Sequence, residues 1–268
     1  MPLRLVYYGV ILLCYLVGSL SNWAYLNSRR REPMIVGMAA VITGFGFQTV
    51  LLAVRTLRWG RVPLTNFYEW MTFFSWALIL IYLLVYKRYR LQALGAFVVP
   101  LAFLVLAIVG FTPHDVTEFF PPLSSVWLGL HIFFSFLGNA AFALTFGVGI
   151  MYLFQQGQLK SKKLGALYYR LPSLEVLDQL NYRSLMSGFP LLTLGMVMGA
   201  FWSLHVKGTI LWDLARVLPQ VVAWAIYAML FVGRLGMGWR GKRAAVLSVI
   251  GFVVVVLGYL LHTAGQPG

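Results

Sequence analysis

Four histidines could bind a metal in this 268-residue chain: His114, His131, His205 and His262. Imidazole is the commonest neutral metal ligand in proteins, and it also carries protons near neutral pH. Hydropathy and charge place all four histidines on the same side of a membrane. This one-sidedness favours a site there for a metal cofactor such as haem. His114 and His205 border predicted loops, where we expect them to be solvated.

His131 lies about one turn inside the fifth apolar segment, four residues after Trp127, so indole and imidazole share one helix face. Ser135 and Gly138 are small residues along that face and would leave a shallow slot below the imidazole. An ionisable side chain at this depth is costly unless it has a partner. Two interpretations remain open: a neutral histidine bonded to a neighbouring carbonyl, or a metal ligand.

His262 ends the last apolar segment. Gly258 and Gly251 lie on roughly the same face, so a flat ring could lie against bare backbone there. Contact of His262 with lipid headgroups is the alternative. The segments that carry His131 and His262 could each direct an imidazole at one iron from opposite sides, as in a six-coordinate haem.

Arg55, Arg58 and Arg61 follow the second apolar segment and are interleaved with Trp59. Guanidinium groups pair with carboxylates through two parallel hydrogen bonds, so the three arginines could clamp the propionates of haem. Contact with lipid headgroups is the alternative. Glu69 is an acid inside a predicted membrane segment, and it lies within reach of these arginines. A buried acid should be paired or protonated.

Several classes of function have no support in the sequence. It contains no Ser-His-Asp order, no phosphate-binding glycine loop and no His-Glu-x-x-His motif, which argues against classical hydrolase and nucleotide chemistry. Cys14 is the only cysteine, which excludes a disulfide framework and a thiolate cluster. The net charge of +14 is explained by basic loops that orient a membrane protein, so we expect no nucleic-acid partner.

The elements that must position these residues are apolar helices. The chain is 60% hydrophobic, with a mean hydropathy of +0.82, and a helix needs about 20 apolar residues to cross a bilayer. We predict an all-α, polytopic membrane helix bundle that forms one integral membrane domain over residues 1–268. Eight segments fit, at about 5–26, 34–54, 67–86, 92–111, 126–154, 184–204, 213–233 and 244–262. The first is predicted to be a retained helix, not a cleaved signal.

Charge predicts the orientation. Fifteen of the 21 basic residues fall in alternate loops, which the positive-inside rule places in the cytoplasm. With eight helices, both termini and the four histidines are then outside a cytoplasmic (inner) membrane, and the protein is multi-pass. Ser173 and Glu175 open a capping pattern, which predicts a short amphipathic helix over 172–183 on the inner surface before the sixth segment.

Several ordered blocks of the sequence resemble the CcsA-type cytochrome c assembly proteins, over about residues 60–265. The matching family motifs are Pro-Leu-Ser-Asn-Leu-Tyr-Glu, Trp-Leu-x-x-His, Leu-Asp-x-Leu-x-Tyr-Arg, Gly-Phe-Pro-Leu-Leu-Thr-x-Gly, Gly-Ala-x-Trp and Leu-His-Ser-Tyr-Gly. In this chain they read Pro63-Leu-Thr-Asn-Phe-Tyr-Glu-Trp70, Ser125-Val-Trp-Leu-Gly-Leu-His131, Leu177-Asp-Gln-Leu-Asn-Tyr-Arg183, Gly188-Phe-Pro-Leu-Leu-Thr-Leu-Gly195, Gly199-Ala-Phe-Trp202 and Leu261-His262 with Gly265.

The resemblance implies a ligand pair and a site. In that family, the histidines that correspond to His131 and His262 ligate haem at the outer surface, on either side of a tryptophan-rich segment called the WWD domain. Here that segment keeps Trp212 and Asp213 but lacks the Pro-Lys-Glu that follows in the family. We expect a non-covalent, b-type haem, bound transiently or as a resident group, with Trp202, Trp212, Asp213 and Trp127 around it.

The resemblance also implies a function. We expect a haem-handling protein of cytochrome c biogenesis, which presents haem near the outer face to apocytochrome c or to an assembly subunit. It would not be an enzyme alone, but a component of a haem-lyase system. The shortened WWD segment supports an alternative, a HemX-like membrane regulator of haem biosynthesis. That regulator would hold a biosynthetic enzyme on its inner side through Lys160, Lys162, Lys163 and the 172–183 helix.

Overall fold

The part of the chain that the structure describes forms eight α-helices. A computed structural model describes residues 2–28, 30–59, 67–110, 126–162, 165, 168–209 and 214–264. The helices are α1 (Pro2–Asn27), α2 (Glu32–Trp59), α3 (Phe67–Tyr89), α4 (Gly95–Gly110), α5 (Val126–Ser161), α6 (Leu174–Lys207), α7 (Leu214–Gly236) and α8 (Lys242–Ala264). A short 3₁₀ turn, Gln92–Leu94, precedes α4. These ranges contain no β-strand, so the all-α prediction is confirmed.

Seven stretches within the described ranges are long and apolar enough to cross a membrane. They are Val6–Asn27, Glu32–Arg58, Tyr68–Tyr89, Gln92–Gly110, Trp127–Ser161, Leu174–Val206 and Val217–Gly236. They belong to α1 through α7, and α8 adds an eighth helix of 23 residues. The prediction of a multi-pass membrane bundle is therefore confirmed, and the orientation of its termini stays a prediction.

Helix α6 differs from the sequence-based expectation. The predicted short helix over 172–183 and the sixth apolar segment form one continuous helix of 34 residues. Its predicted start is correct, because the Ser173 hydroxyl accepts a hydrogen bond from the Val176 backbone N–H at 3.4 Å. Polar residues in the first turns are part of this helix because they bond side chains of other helices: Asp178 bonds Arg234 of α7, and Asn181 bonds Ser248 of α8. The helix ends at Gly208, which adopts a left-handed conformation with φ of 72°.

The first compact unit, Met1–Leu123 with Leu164–Pro172, contains α1 to α4. Its helices are joined by buried polar groups. The Tyr15 hydroxyl donates to Gln48 Oε1 at 2.6 Å, and Gln48 Nε2 donates to the Thr72 carbonyl at 2.9 Å. These two bonds connect α1, α2 and α3. A buried polar side chain in a membrane helix needs such partners because lipid offers none.

The second compact unit, Ser124–Lys163 with Ser173–Gly268, contains α5 to α8. Helices α5 and α6 approach closely along a seam of small residues. A Cβ atom added at Gly138 would lie 2.7 Å from the backbone nitrogen of Leu192, and one added at Gly195 would lie 2.8 Å from the backbone nitrogen of Ser135. Small residues let membrane helices pack backbone to backbone. The seam therefore determines how α5 and α6 face each other near His131.

Candidate functional site

The imidazole of His131 lies between α5 and α6. Its ring packs against Gly199, where an added Cβ would lie 2.5 Å from Nδ1 and 2.8 Å from Cε1. His131 Nδ1 is 2.7 Å from the carbonyl oxygen of Gly195. A carbonyl oxygen only accepts hydrogen bonds, so Nδ1 must carry the hydrogen and donate it. In the neutral ring, the lone pair is therefore on Nε2.

This bond is compatible with both interpretations of His131. The predicted bond to a neighbouring carbonyl is present, but it occupies only Nδ1. Nε2 has no hydrogen-bond partner within the described ranges. Histidines that bind metals typically donate their second ring N–H to a carbonyl or a carboxylate, which orients the ring and raises its basicity. The geometry of His131 thus leaves Nε2 available to a metal ion.

Gly195 and Gly199 position the His131 ring. This role was not predicted from the sequence. They lie four residues apart, so both face α5. Gly195 supplies the carbonyl, and Gly199 leaves space for the ring. Ser135, one turn beyond His131, packs against Gly195. A pair of glycines at a spacing of four residues was the sequence signal that could have identified this contact.

An aromatic pair lies beside His131. Trp127, one turn earlier on α5, is 40% exposed, and its ring centroid is 5.5 Å from that of Phe201 on α6, which is 44% exposed. Phe201 was not among the predicted site residues. His205 follows Phe201 by one turn, is exposed as predicted, and donates from Nδ1 to the Phe201 carbonyl at 3.0 Å. Trp202 is half-buried on the same helix.

Other predicted site residues cannot be placed in this way. Trp212, Asp213, Arg61 and His114 lie outside the described ranges. His262 lies in α8 near its end, but its side chain is also outside the described part of the structure. The roles of these residues stay predictions.

The glycines predicted to admit a flat ring are instead covered by neighbouring helices. A Cβ at Gly251 would lie 3.0 Å from the Tyr227 ring, and one at Gly258 would lie 2.5 Å from Pro219 Cβ, so both glycines pack against α7. Gly138 packs against Leu192 of α6. Small residues promote helix association, so a glycine face on a membrane helix does not by itself indicate a ligand slot. The expectation for these three glycines was wrong.

The predicted pairing of Glu69 is confirmed in the first unit. Arg55 Nη1 lies 3.8 Å from Glu69 Oε1, and both residues are buried. The Arg55 guanidinium carbon also lies 4.9 Å from the centre of the Tyr68 ring. Arg58, one turn along α2, is exposed. Of the three arginines predicted to act together, one is therefore inside the unit and another is on its surface.

A polar cluster at the other end of α6 joins three helices of the second unit. Asp178 Oδ2 accepts from Arg234 Nη1 at 2.9 Å, and Asp178 Oδ1 accepts from the backbone N–H of Gly241 at 2.7 Å. Arg234 Nη2 donates to Asn181 Oδ1 at 2.9 Å. Asp178 thus balances the charge of an arginine of α7 and caps the start of α8. The sequence predicted only a short amphipathic surface helix over 172–183 and did not predict this cluster.

Comparisons with known proteins cover nearly the whole chain. A family model described as "Cytochrome C assembly protein" matches residues 64–265. Cytochrome c biogenesis protein CcsA of Mesostigma viride is 31% identical over 274 residues, covering 87% of this chain and 90% of that protein. CcsA of Guillardia theta is 28% identical, covering 94% and 90%. Protein HemX of Bacillus subtilis (strain 168) is 29% identical, covering 96% and 91%. The family match includes His131, Gly195, Gly199 and His262.

Proposed function

The chain belongs to the cytochrome c assembly protein family, and from this premise we propose that it binds haem and presents it during cytochrome c biogenesis. The observation that carries the proposal is the hydrogen bond from His131 Nδ1 to the Gly195 carbonyl. That bond leaves Nε2 as the nitrogen available to iron, in the arrangement typical of metal-bound histidines. His262 would be the second residue that holds the iron.

The remaining predicted residues hold the rest of the cofactor. Trp127 and Trp202 lie on the two helices that hold His131 in place and would pack beside the macrocycle, together with Trp212 and Asp213. Arg55, Arg58 and Arg61 would supply positive charge for the propionates. Bound haem supplies the iron and the vinyl groups, and apocytochrome c supplies the thiols that react with them.

In this proposal, the chain's own contribution is to bind and orient. Gly195 fixes the direction of the His131 ring, and the close contact at Gly199 keeps the ring from rotating away. Trp127, one turn before His131 on α5, contacts Phe201 of α6 and adds an aromatic pair to the same two helices. The haem is non-covalent and lies near the outer face of the cytoplasmic membrane, where apocytochrome c or an assembly subunit docks.

Histidine substitutions test this assignment. Purified protein should show a Soret band with the low-spin spectrum of bis-imidazole haem. His131→Ala and His262→Ala should each convert that spectrum into a five-coordinate or haem-free one, whereas His114→Ala and His205→Ala should leave it largely intact. Added imidazole should partly restore haem binding to either ligand variant, because a free base can take the place that the removed side chain leaves.

Two results would contradict the proposal. Wild-type protein without Soret absorbance, even after haem addition, would exclude haem binding. A protein whose spectrum depends on His114 and His205 instead would exclude the ligand pair while leaving haem binding in place.

A second candidate function is regulation of haem biosynthesis. It would act through the end of the second unit that is opposite His131. The similarity to Protein HemX over 96% of the chain favours it, as do exposed basic residues at the end of α5 and the start of α8: Lys160, Lys162, Arg240, Lys242 and Arg243. Pull-down with Lys160→Glu and Lys162→Glu separates the two functions. Loss of a bound biosynthetic enzyme supports regulation, and unchanged partners alongside lost cytochrome c on His131→Ala support assembly.

A further inference from the structure

The Arg55 guanidinium is buried in the first unit but incompletely bonded. The residue is 9% exposed, and its Nη1 atom is inaccessible to solvent and has no hydrogen-bond partner within the described ranges. Glu69 Oε1 lies 3.8 Å from Nη1, beyond the 2.7–2.9 Å of a charge-assisted hydrogen bond. Glu69 therefore offsets the charge of Arg55 without accepting the hydrogen from Nη1. A buried donor in this state is costly and favours binding of an acceptor.

The two charges are each stabilised by their own helix. Glu69 lies in the first turn of α3, where the helix dipole favours an acid. Arg55 lies one turn before the end of α2, where the dipole favours a base. Glu69 also makes a further interaction in the molecule, and Arg55 rests over the Tyr68 ring. Each partner therefore keeps some stabilisation if the pair separates, so the pair can open at low cost.

We propose that Arg55 is a receptor for a ligand carboxylate, and that Glu69 regulates it as a built-in competing carboxylate. The incoming group would form with Arg55 the hydrogen bonds that Glu69 does not make, and Glu69 would move aside. This rests on the proposed function, because haem is a tetrapyrrole with two propionate carboxylates. It adds that occupancy of Arg55 is set by competition between Glu69 and the ligand.

A metal-free porphyrin isolates this contact from iron ligation. Protoporphyrin IX carries both carboxylates and no iron, and its dimethyl ester carries neither charge. Fluorescence titration of the full-length protein in detergent should give a Kd for the ester about tenfold higher than for the diacid, since hydrogen bonds to charged groups are the stronger ones. Equal binding of diacid and ester to the wild-type protein would overturn the proposal without any substitution.

Substitutions on the two sides of the pair should act in opposite directions. Arg55→Gln should weaken diacid binding about tenfold, and Arg55→Lys should do so less, because it keeps the charge but loses the bidentate fork. Glu69→Gln should strengthen diacid binding several-fold, because it removes the competitor. Binding of the ester should not change in any of them. Arg88→Gln is the matched control, since Arg88 also lies over a tyrosine ring but at the opposite end of α3.

The outcomes separate this proposal from the proposed function. If both Arg55→Gln and Glu69→Gln weaken diacid binding, the pair is structural and the receptor is excluded. If the predicted pattern appears with protoporphyrin but haem gives no low-spin spectrum, the receptor stands and iron ligation by His131 and His262 fails. If haem gives that spectrum and the ester binds as well as the diacid, only the receptor fails.

Discussion

Replacing Gly199 with alanine tests whether the glycine seam holds His131 in its ligating position. The added Cβ would lie 2.5 Å from His131 Nδ1, whereas ordinary contact begins at 3.4 Å, so ring or backbone must retreat by about 0.9 Å, the difference between the two. The 2.7 Å bond to the Gly195 carbonyl then stretches or breaks. Overpacking of this kind costs about 1–3 kcal/mol. Where that cost falls on the liganded state, haem affinity drops by about fivefold to 150-fold.

Haem titration monitored at the Soret band measures this loss, and the visible spectrum reports whether one axial ligand has been released. Gly129→Ala is the matched control: it is on the same helix as His131, and an added Cβ would have no neighbour within 4 Å. It should bind haem like the wild type. A double variant, Gly199→Ala with His131→Ala, should bind no worse than His131→Ala alone, because the clash needs the ring. Wild-type affinity and a six-coordinate spectrum in Gly199→Ala would refute the reasoning.

Four further substitutions test the packing inside each of the two units, each by thermal and denaturant unfolding in detergent. Asp178→Ala should destabilise the protein by about 3–5 kcal/mol, because it leaves Arg234, whose side chain is 2% exposed, buried without its carboxylate; a wild-type melting curve would contradict this. Thr193→Val should cost about 1 kcal/mol, because it removes the 3.0 Å bond that the Trp224 indole donates to the Thr193 hydroxyl. Trp224→Phe should cost more, because it loses both that bond and part of the indole that stacks on Phe189. Tyr15→Phe should cost about 1–3 kcal/mol, because it leaves a buried amide oxygen on α2 without its donor.

The number and type of helices could be predicted from hydropathy because lipid imposes a simple condition. A spanning segment must bond its own backbone and expose apolar side chains, so length and composition suffice to identify it. The prediction failed at α6, where the residues around Asp178 look like a separate surface helix. They are polar because they bond Arg234 and the start of α8. That partnership depends on residues more than 50 positions away, which hydropathy does not detect.

Part of the candidate site was also predictable. His131 was identified from its position beside Trp127 at the end of an apolar segment, and the burial of Glu69 near Arg55 from the scarcity of acids in membrane helices. Which neighbour each glycine of these helices faces was not predictable. Gly199 faces the His131 ring, whereas Gly251 and Gly258 face α7. In the sequence these glycines look alike, because each lies on a small-residue face of an apolar helix.

The sequence by itself determined that this chain is a helical membrane protein of the cytochrome c assembly family, since hydropathy and ordered motifs are properties of the chain alone. Only the tertiary structure decided which nitrogen of His131 is available to a ligand. That choice depends on the Gly195 carbonyl, 64 residues further along the chain, lying 2.7 Å from Nδ1. The tautomer of an imidazole is set by its hydrogen-bond partner, and the partner is brought there by the packing of α5 against α6.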